Sequence, residues 1–490
     1  MVDRTTLPPT PALSPTADEP LYRQLYRRLR QAIIDGRLRP GARLPSTRAL
    51  AAEWGVGRNT ALAAVEQLQA EGYLTARVGA GTYVSVALPD PMPSRPSQWL
   101  VNSEVGKEPG LSARARGLLT WVSEREEGET RAFMPGVPDL ATFPWPLWFK
   151  LLARQQRAAK PADWDYGHEA AHPALRTALV DHLTLARGVV CRPEQIIVTA
   201  GMQQALDLLA RTLADPGDVA WIEEPGYPGA QAAFTAAGLT LNPIPVDEHG
   251  MAWQDADYPP PRLIYVTPSH QYPLGSVLSM ARRQALLREA AQHGAWIVED
   301  DYDGEFRHDG RPLAALQGLD RGGRTVYLGT FSKVMFPALA LAYMVVPLQL
   351  ARDIALLQAR LYRKPCRVTQ AALAEFISAG HFGAHLRRMR GLYANRRDKL
   401  LDTLQQRLGT EARFYGAEAG MHLVLRLPGH CNDVEVAHRL AAAGLTTPPL
   451  SDYALCKPPF PGLLLGYGAV EDATLRLAAH RLADGLYNML

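Results

Sequence analysis

A chain of 490 residues is too long for a single ordinary core and long enough for a small domain beside a large one. With 47% hydrophobic and 21% charged residues it has ordinary globular composition, and no uninterrupted apolar run approaches the roughly 20 residues of a membrane span, so no membrane role is expected. The net charge of +3 argues against one large nucleic-acid surface, yet ten arginines face four carboxylates between residues 20 and 87. Residues 1–17 are rich in Pro and Thr, lack the apolar stretch of a secretory signal and read as a disordered leader, which points to a cytoplasmic protein. The four cysteines, Cys191, Cys366, Cys431 and Cys456, show no paired spacing, so neither a disulfide framework nor a metal site is expected. A small domain is expected over residues 18–87. In LYRQLYRRLRQAIID, Leu21, Leu25, Leu29, Ile33 and Ile34 share one helical face. Gly36 ends this helix, Ser46 caps a second one in STRALAAEWG, and Gly55 closes it. The turn VGRN leads to a third helix, NTALAAVEQLQAEG, with Ala61, Leu62, Val65 and Leu68 inward and a polar start. After Gly72, YLTARVGAGTYVSV reads as a hairpin wing turning at Gly79 and Gly81.

Residues 88–115 are Pro- and Ser-rich and read as a linker. From 116 to 490 the pattern changes: apolar runs such as IIVTA, VAWIEE, RLIYVTP, AWIVEDD and TVYLGT alternate with amphipathic segments, the signature of an α/β domain with a largely parallel sheet. Three segments of this domain carry chemistry. WIVEDDYDGEFRHDG puts carboxylates at the end of a buried strand, where ligands of open α/β sheets bind. TVYLGTFSKVMFP places Lys333 after another strand beside Thr330 and Ser332, with little opposing acid, a setting in which a lysine amine can attack an aldehyde. VTAGMQQALDLLAR is a strand, a glycine turn and a helix start, which presents backbone N–H groups to a phosphate. A pyridine nitrogen, an aldehyde and a phosphate are the three handles of pyridoxal 5'-phosphate.

Two resemblances sharpen this reading. LPSTRALAAEWGVGRNTALAAVEQLQAEGYLTARVGAGTYV resembles the GntR-type winged helix-turn-helix, a family that binds operator DNA as a dimer. The match implies that Arg43, Ser46 and Arg48 meet phosphates, that Arg58, Asn59 and Thr60 face the major groove, and that Gly79 and Gly81 let the wing approach the minor groove. Gly57 stands where that family usually has Ser, so one cap or phosphate contact is missing. Residues 133–490 resemble a fold-type I aminotransferase, and the combination with this head resembles the MocR/GabR class of transcription regulators through TPSHQYPLG, EDDYDGEFR, YLGTFSK and HLRRMRGLYANRRDKL. The resemblance implies Lys333 as the Schiff-base lysine, Asp300 as partner of the pyridine nitrogen, Tyr302 on the phenolic oxygen and Tyr227 stacked on the ring. It places the phosphate against the Met202 backbone, Gln203, Thr330 and Ser332, sets His270 and Tyr272 along the ring's edge, and sends Tyr166 to the cofactor of the other subunit.

The class normally carries Arg where Ala340 stands, seven residues after the lysine, to grip the phosphate. PFPGLLLGYGAVED, with leucine at 463–465, replaces the segment that supplies an arginine for a substrate carboxylate, and Arg426 in GMHLVLRLPG is an alternative that reads better as an exposed strand end. The expectation is therefore a homodimeric DNA-binding regulator that senses a small-molecule effector, the cofactor itself or an amino compound, through the Lys333 aldimine. The alternative is a working aminotransferase that carries a DNA-binding head; at most partial transamination is expected.

Overall fold

The computed structural model describes residues 13, 19–77, 81–88, 110–119, 131–165, 171–254, 256–308, 313–409 and 411–487. The chain forms two compact units, residues 1–110 and 111–490.

In the first unit, α1 (Leu21–Ile34), α2 (Thr47–Trp54) and α3 (Arg58–Ala70) precede a two-stranded antiparallel ribbon of β1 (Leu74–Arg77) and β2 (Gly81–Val84). Leu25 and Leu29 of α1, Leu50 of α2, and Ala61, Ala64, Val65 and Leu68 of α3 form its core. The Ser46 hydroxyl accepts the Ala49 N–H at 3.2 Å and caps α2, while Gly55 ends it in the left-handed conformation. Two expectations are corrected. Helix α3 begins at Arg58, inside the expected turn, with Gly57 as an N-cap that lends no side chain. Leu62, expected inward, is 40% exposed, because the buried positions 61, 64, 65 and 68 follow the i, i+3, i+4, i+7 rule and 62 falls outside that stripe.

The second unit opens with α4 (Ala113–Leu119), which begins within the expected linker; the Ser112 hydroxyl accepts the Ala115 N–H, and Arg114 donates to the Ala236 carbonyl. Two helices follow, α5 (Trp145–Ala158) and α6 (Pro173–Arg187). The central sheet comprises β3 (Ile196–Thr199), β4 (Val219–Glu224), β5 (Thr240–Asp247), β6 (Gly250–Met251), β7 (Leu263–Val266), β8 (Trp296–Asp301), β9 (Thr325–Thr330) and β10 (Ala342–Val345), in the order β3-β10-β9-β8-β7-β4-β5-β6. Strands β5, β4, β7, β8 and β9 pair in parallel; β10 lies antiparallel between β9 and β3, and β6 closes the far edge antiparallel to β5. The parallel strands read as continuous apolar runs because both faces are covered: Ile197, Ile222, Tyr265, Val298 and Leu328 pack with α7 (Met202–Leu213) and α8 (Pro228–Ala237), while Trp221, Ile264 and Ile297 pack with α9 (Met280–His293). After α10 (Leu348–Leu361), α11 (Arg367–Ser378) and the 28-residue α12 (His381–Leu408), the chain adds a three-stranded antiparallel sheet of β11 (Phe414–Tyr415), β12 (His422–Arg426) and β13 (Gly462–Gly466), with α13 (Asp433–Ala442) and α14 (Asp472–Tyr487). Residues 463–465 are fully buried in β13.

Candidate functional site

The carboxyl ends of β8 and β9 and the start of α7 bring the expected cofactor residues to one edge of the sheet. Asp300, second to last in β8 and opposite Leu328 of β9, is 3% exposed. Its Oδ2 accepts the Tyr265 hydroxyl at 2.7 Å, whereas Oδ1 is buried with no hydrogen-bond partner. A buried carboxylate oxygen without a donor is disfavoured, so this atom marks a place for an N–H that the chain itself does not supply. Burial pushes Asp300 up to about 7; the Tyr265 bond and Lys333 pull it down, Asp301 and Asp303 push it up. A cationic pyridinium N–H would fill this position and return the carboxylate to its anionic form.

Lys333 follows β9, and its Nζ donates to the Gly136 carbonyl at 2.9 Å. Gly136 has φ +69°, a left-handed backbone that favours glycine, and a Cβ there would lie 2.5 Å from that Nζ and displace the amine from this position. Thr330 ends β9, and its hydroxyl accepts the Ser332 N–H at 3.2 Å. Phe331 N–H donates to the Leu341 carbonyl, which sets Ala340 beside Ser332 at the same sheet end; Ala340 is exposed, with a left-handed backbone at φ +48°. Across the sheet end, Gly201 at φ +98° starts α7 with no side-chain cap, leaving the first N–H groups of Met202 and Gln203 as donors with the positive end of the helix dipole behind them. The Gln203 side chain donates to the Gly229 carbonyl at 2.9 Å and so ties the starts of α7 and α8 together.

Tyr227 precedes α8 and meets Tyr272 edge-on at 5.9 Å; Tyr272 in turn meets Tyr302 at 5.5 Å and His422 at 5.2 Å. The Tyr302 hydroxyl lies 3.0 Å from His270 Nδ1, and both oxygens of Asp303 lie 3.1 Å from that nitrogen. Tyr166 and Gly79 lie outside the described residues. In the first unit Arg43, Ser46, Arg48, Arg58, Asn59 and Gly81 are exposed and Thr60 is half-buried. The Arg43 guanidinium lies against Gly81, whose φ is +114° and whose added Cβ would approach Arg43 Nε at 3.1 Å.

Several supporting residues carried no signal in the sequence reading. The acidic run is buried among partners from elsewhere in the chain: Arg187 forks onto Asp301 at 2.6 and 2.9 Å, Asp301 also accepts the Tyr327 hydroxyl at 2.6 Å, and Glu299 accepts the Leu316 and Gln317 N–H groups. Gly136, Tyr265, Arg187 and His422 each sit far along the chain from the motif they serve. Arg426 is exposed at the end of β12 opposite His422, its guanidinium over the Phe460 ring at 5.3 Å, so it stands apart from the cluster.

An acceptor lacking its N–H, a lysine amine and an uncapped helix start at the carboxyl end of a parallel sheet define the class. The chain belongs to the family of aminotransferase class I and II proteins, matched over residues 139–481, and carries a head of the bacterial regulatory gntR family over residues 21–84, the architecture of the MocR-type transcription regulators. It is 42% identical, over 94% of its length and 92% of the relative's, to the probable rhizopine catabolism regulatory protein MocR of Rhizobium meliloti. It is 34% identical, over 97% of its length and 98% of the relative's, to the HTH-type pyridoxine biosynthesis transcriptional regulator PdxR of Corynebacterium glutamicum. Among solved structures, the Pyrococcus horikoshii kynurenine aminotransferase, in complex with PMP, matches at TM-score 0.68 and 26% identity, covering 78% of this chain and 96% of that one. No described helix is long and apolar enough to cross a membrane.

Proposed function

We propose that this regulator holds pyridoxal phosphate at Lys333 and uses its occupancy to bias operator binding by the head. The observation that carries the reading is the unpartnered Oδ1 of Asp300 at the end of β8, in a chain that also bears a gntR-family head. The cofactor class agrees with the PMP complex of the kynurenine aminotransferase. When bound, pyridoxal phosphate supplies an electrophilic carbon that a primary amine can capture and a ring that withdraws electrons. In this assignment Lys333 provides that amine, Asp300 accepts the pyridine N–H, Tyr302 bonds the phenolic oxygen and Tyr227 covers the ring face. His270 and Tyr272 border its edge. The phosphate rests on the backbone of Met202 and Gln203 with Thr330 and Ser332, and Tyr166 serves the neighbouring subunit of a homodimer. Arg58, Asn59 and Thr60 read bases, Arg43, Ser46 and Arg48 hold phosphates, and the wing at Gly79 and Gly81 enters the minor groove. A cytoplasmic location follows from this work on DNA.

The signal is the cofactor itself in preference to an amino acid. Arg426 stands apart on its strand end and buried leucines occupy 463–465, so the substrate carboxylate has no arginine from either segment. The same features weigh against a working aminotransferase. Titration of the purified protein and its Lys333→Ala variant with pyridoxal phosphate, followed by visible absorbance and by retention of duplexes enriched from a random DNA pool, tests the assignment. A lysine-dependent band that tracks a change in duplex retention is the expected result. No band at saturating cofactor overturns the cofactor half, and multiple-turnover conversion of an amino acid and keto acid pair establishes the alternative.

A further inference from the structure

The contacts around Tyr302 contain one group too many for the protons available. His270 Nδ1 carries at most one hydrogen, yet three oxygens approach it: both carboxylate oxygens of Asp303 at 3.1 Å and the Tyr302 hydroxyl at 3.0 Å. Asp303 is 1% exposed and His270 2% exposed, so water does not mediate this choice. Were Nδ1 bare, its lone pair would face a buried carboxylate. The hydrogen therefore lies on Nδ1, directed at Asp303, and the tyrosine cannot donate to the same nitrogen. Among the described residues the Tyr302 hydroxyl has no other hydrogen-bond partner. Its proton is left pointing away from the pair.

Two further features hold the pair rigid. Gly420, at φ +77°, presses its backbone on both members: a Cβ there would lie 2.4 Å from Asp303 Oδ2 and 2.4 Å from His270 Cε1. The His422 ring stands 5.3 Å from that of His270 and is itself held neutral, its pKa lowered to about 4 by burial and by His270. Burial alone would lower the proton affinity of His270, but Asp303 outweighs it, with the Gly416 carbonyl adding to the rise.

We propose that the buried Asp303–His270 pair is a positioning device that commits the Tyr302 proton to the phenolic oxygen of bound pyridoxal phosphate, and thereby sets the pH at which the Lys333–cofactor linkage ionises. A donor fixed on that oxygen competes with the proton of the adjacent nitrogen for the oxygen's charge, stabilises the unprotonated linkage and so lowers that nitrogen's proton affinity. The other charged or titratable groups facing Tyr302 and His270 are Asp300, Glu223, Tyr272, His422, Glu418 and Lys333, and all of them remain in the variants below. This inference rests on the cofactor being held at Lys333.

The test is a pH titration of the visible absorbance of the cofactor-loaded full chain, for the parent, Asp303→Asn, Tyr302→Phe and the double variant. In Asp303→Asn the imidazole is free to present a bare Nδ1, the tyrosine proton turns inward, and the ionisation midpoint should rise by about one to two pH units, the worth of one hydrogen bond to a charged group. The direct effect of deleting a carboxylate near a cation is a lowered midpoint, so the direction separates the two. In the Tyr302→Phe background the same Asp303→Asn change should move the midpoint by no more than a few tenths of a unit. An unchanged or lowered midpoint in Asp303→Asn, or an equal rise with and without the Tyr302 hydroxyl, overturns the inference. A parent chain that forms no visible band overturns the cofactor assignment instead. Should Asp303→Asn fail to fold, the paired change His270→Gln with Asp303→Asn keeps a neutral hydrogen-bonded couple in place and carries the same expectation through the same cycle.

Discussion

Replacing Ala340 with arginine returns a cation to the end of the sheet where Thr330 and Ser332 converge. The structure makes this substitution unusually clean, because Ala340 already holds a Cβ at φ +48°, so arginine meets no backbone conformation that alanine has not already adopted. The position is exposed, next to Ser332 through the Phe331 to Leu341 hydrogen bond, and open to a longer side chain. A hydrogen bond to a charged group contributes about 1.5 to 3 kcal/mol, and solvent screening at an exposed site favours the lower end, which corresponds to roughly tenfold tighter binding of pyridoxal phosphate. Equilibrium titration of the visible band measures it, with Ala340→Gln as the control of similar reach and no charge. Equal affinities for the arginine and glutamine variants would show that the phosphate lies elsewhere, and the placement built on Thr330, Ser332 and the start of α7 would fall with it.

Three other outcomes follow from the geometry. Arg58→Ala, at the exposed start of α3, should weaken binding to the enriched duplex by about 1 to 3 kcal/mol in a fluorescence-anisotropy titration, and unchanged binding would displace α3 from the major groove. Arg187→Met strands Asp301, which is 4% exposed, and should lower the unfolding free energy by about 3 to 5 kcal/mol in denaturant; a change under about 1 kcal/mol would mean that the pair can be removed without leaving a buried charge. Burial holds Asp300 up to about 7, above its unfolded value, so in the cofactor-free chain the folded state keeps a proton that the unfolded chain gives up, and stability is lost as pH rises from about 4 to about 7. Asp300→Asn removes that loss, and its stability relative to the parent should improve across the window by at most about 4 kcal/mol. A constant offset at every pH would contradict the assignment.

Much of this was legible in the sequence because local pattern and local chemistry coincide. The head is short, Ser46 and Gly55 bound α2, and the inward stripe follows helical spacing, with Leu62 falling outside it. The strands of the large unit announce themselves as apolar runs since both sheet faces are covered. Motifs that end those strands, at Asp300 and Lys333, inherit their position from the sheet. What stayed hidden was long-range. Tyr265 reaches Asp300 across 35 residues, and Lys333 reaches the Gly136 carbonyl across 197, and neither partner belongs to a motif. The partners of the acidic run EDDYDGE were hidden too, because composition cannot show that Arg187, 114 residues away, and His270 are buried beside it.

The contact between Lys333 and Gly136 turns chemistry into a donor count. A free lysine ammonium carries three hydrogens, one of which goes to the Gly136 carbonyl; a lysine bonded to a carbonyl carbon keeps at most one. Gly136 lies within the large unit, ahead of α5 and just after Phe133, whose carbonyl accepts the Gly466 N–H at 2.9 Å. Capture of the lysine therefore leaves at most one hydrogen for the Gly136 carbonyl, so the state of a single nitrogen bears on how the segment around Gly136 is fastened to the sheet end of the large unit.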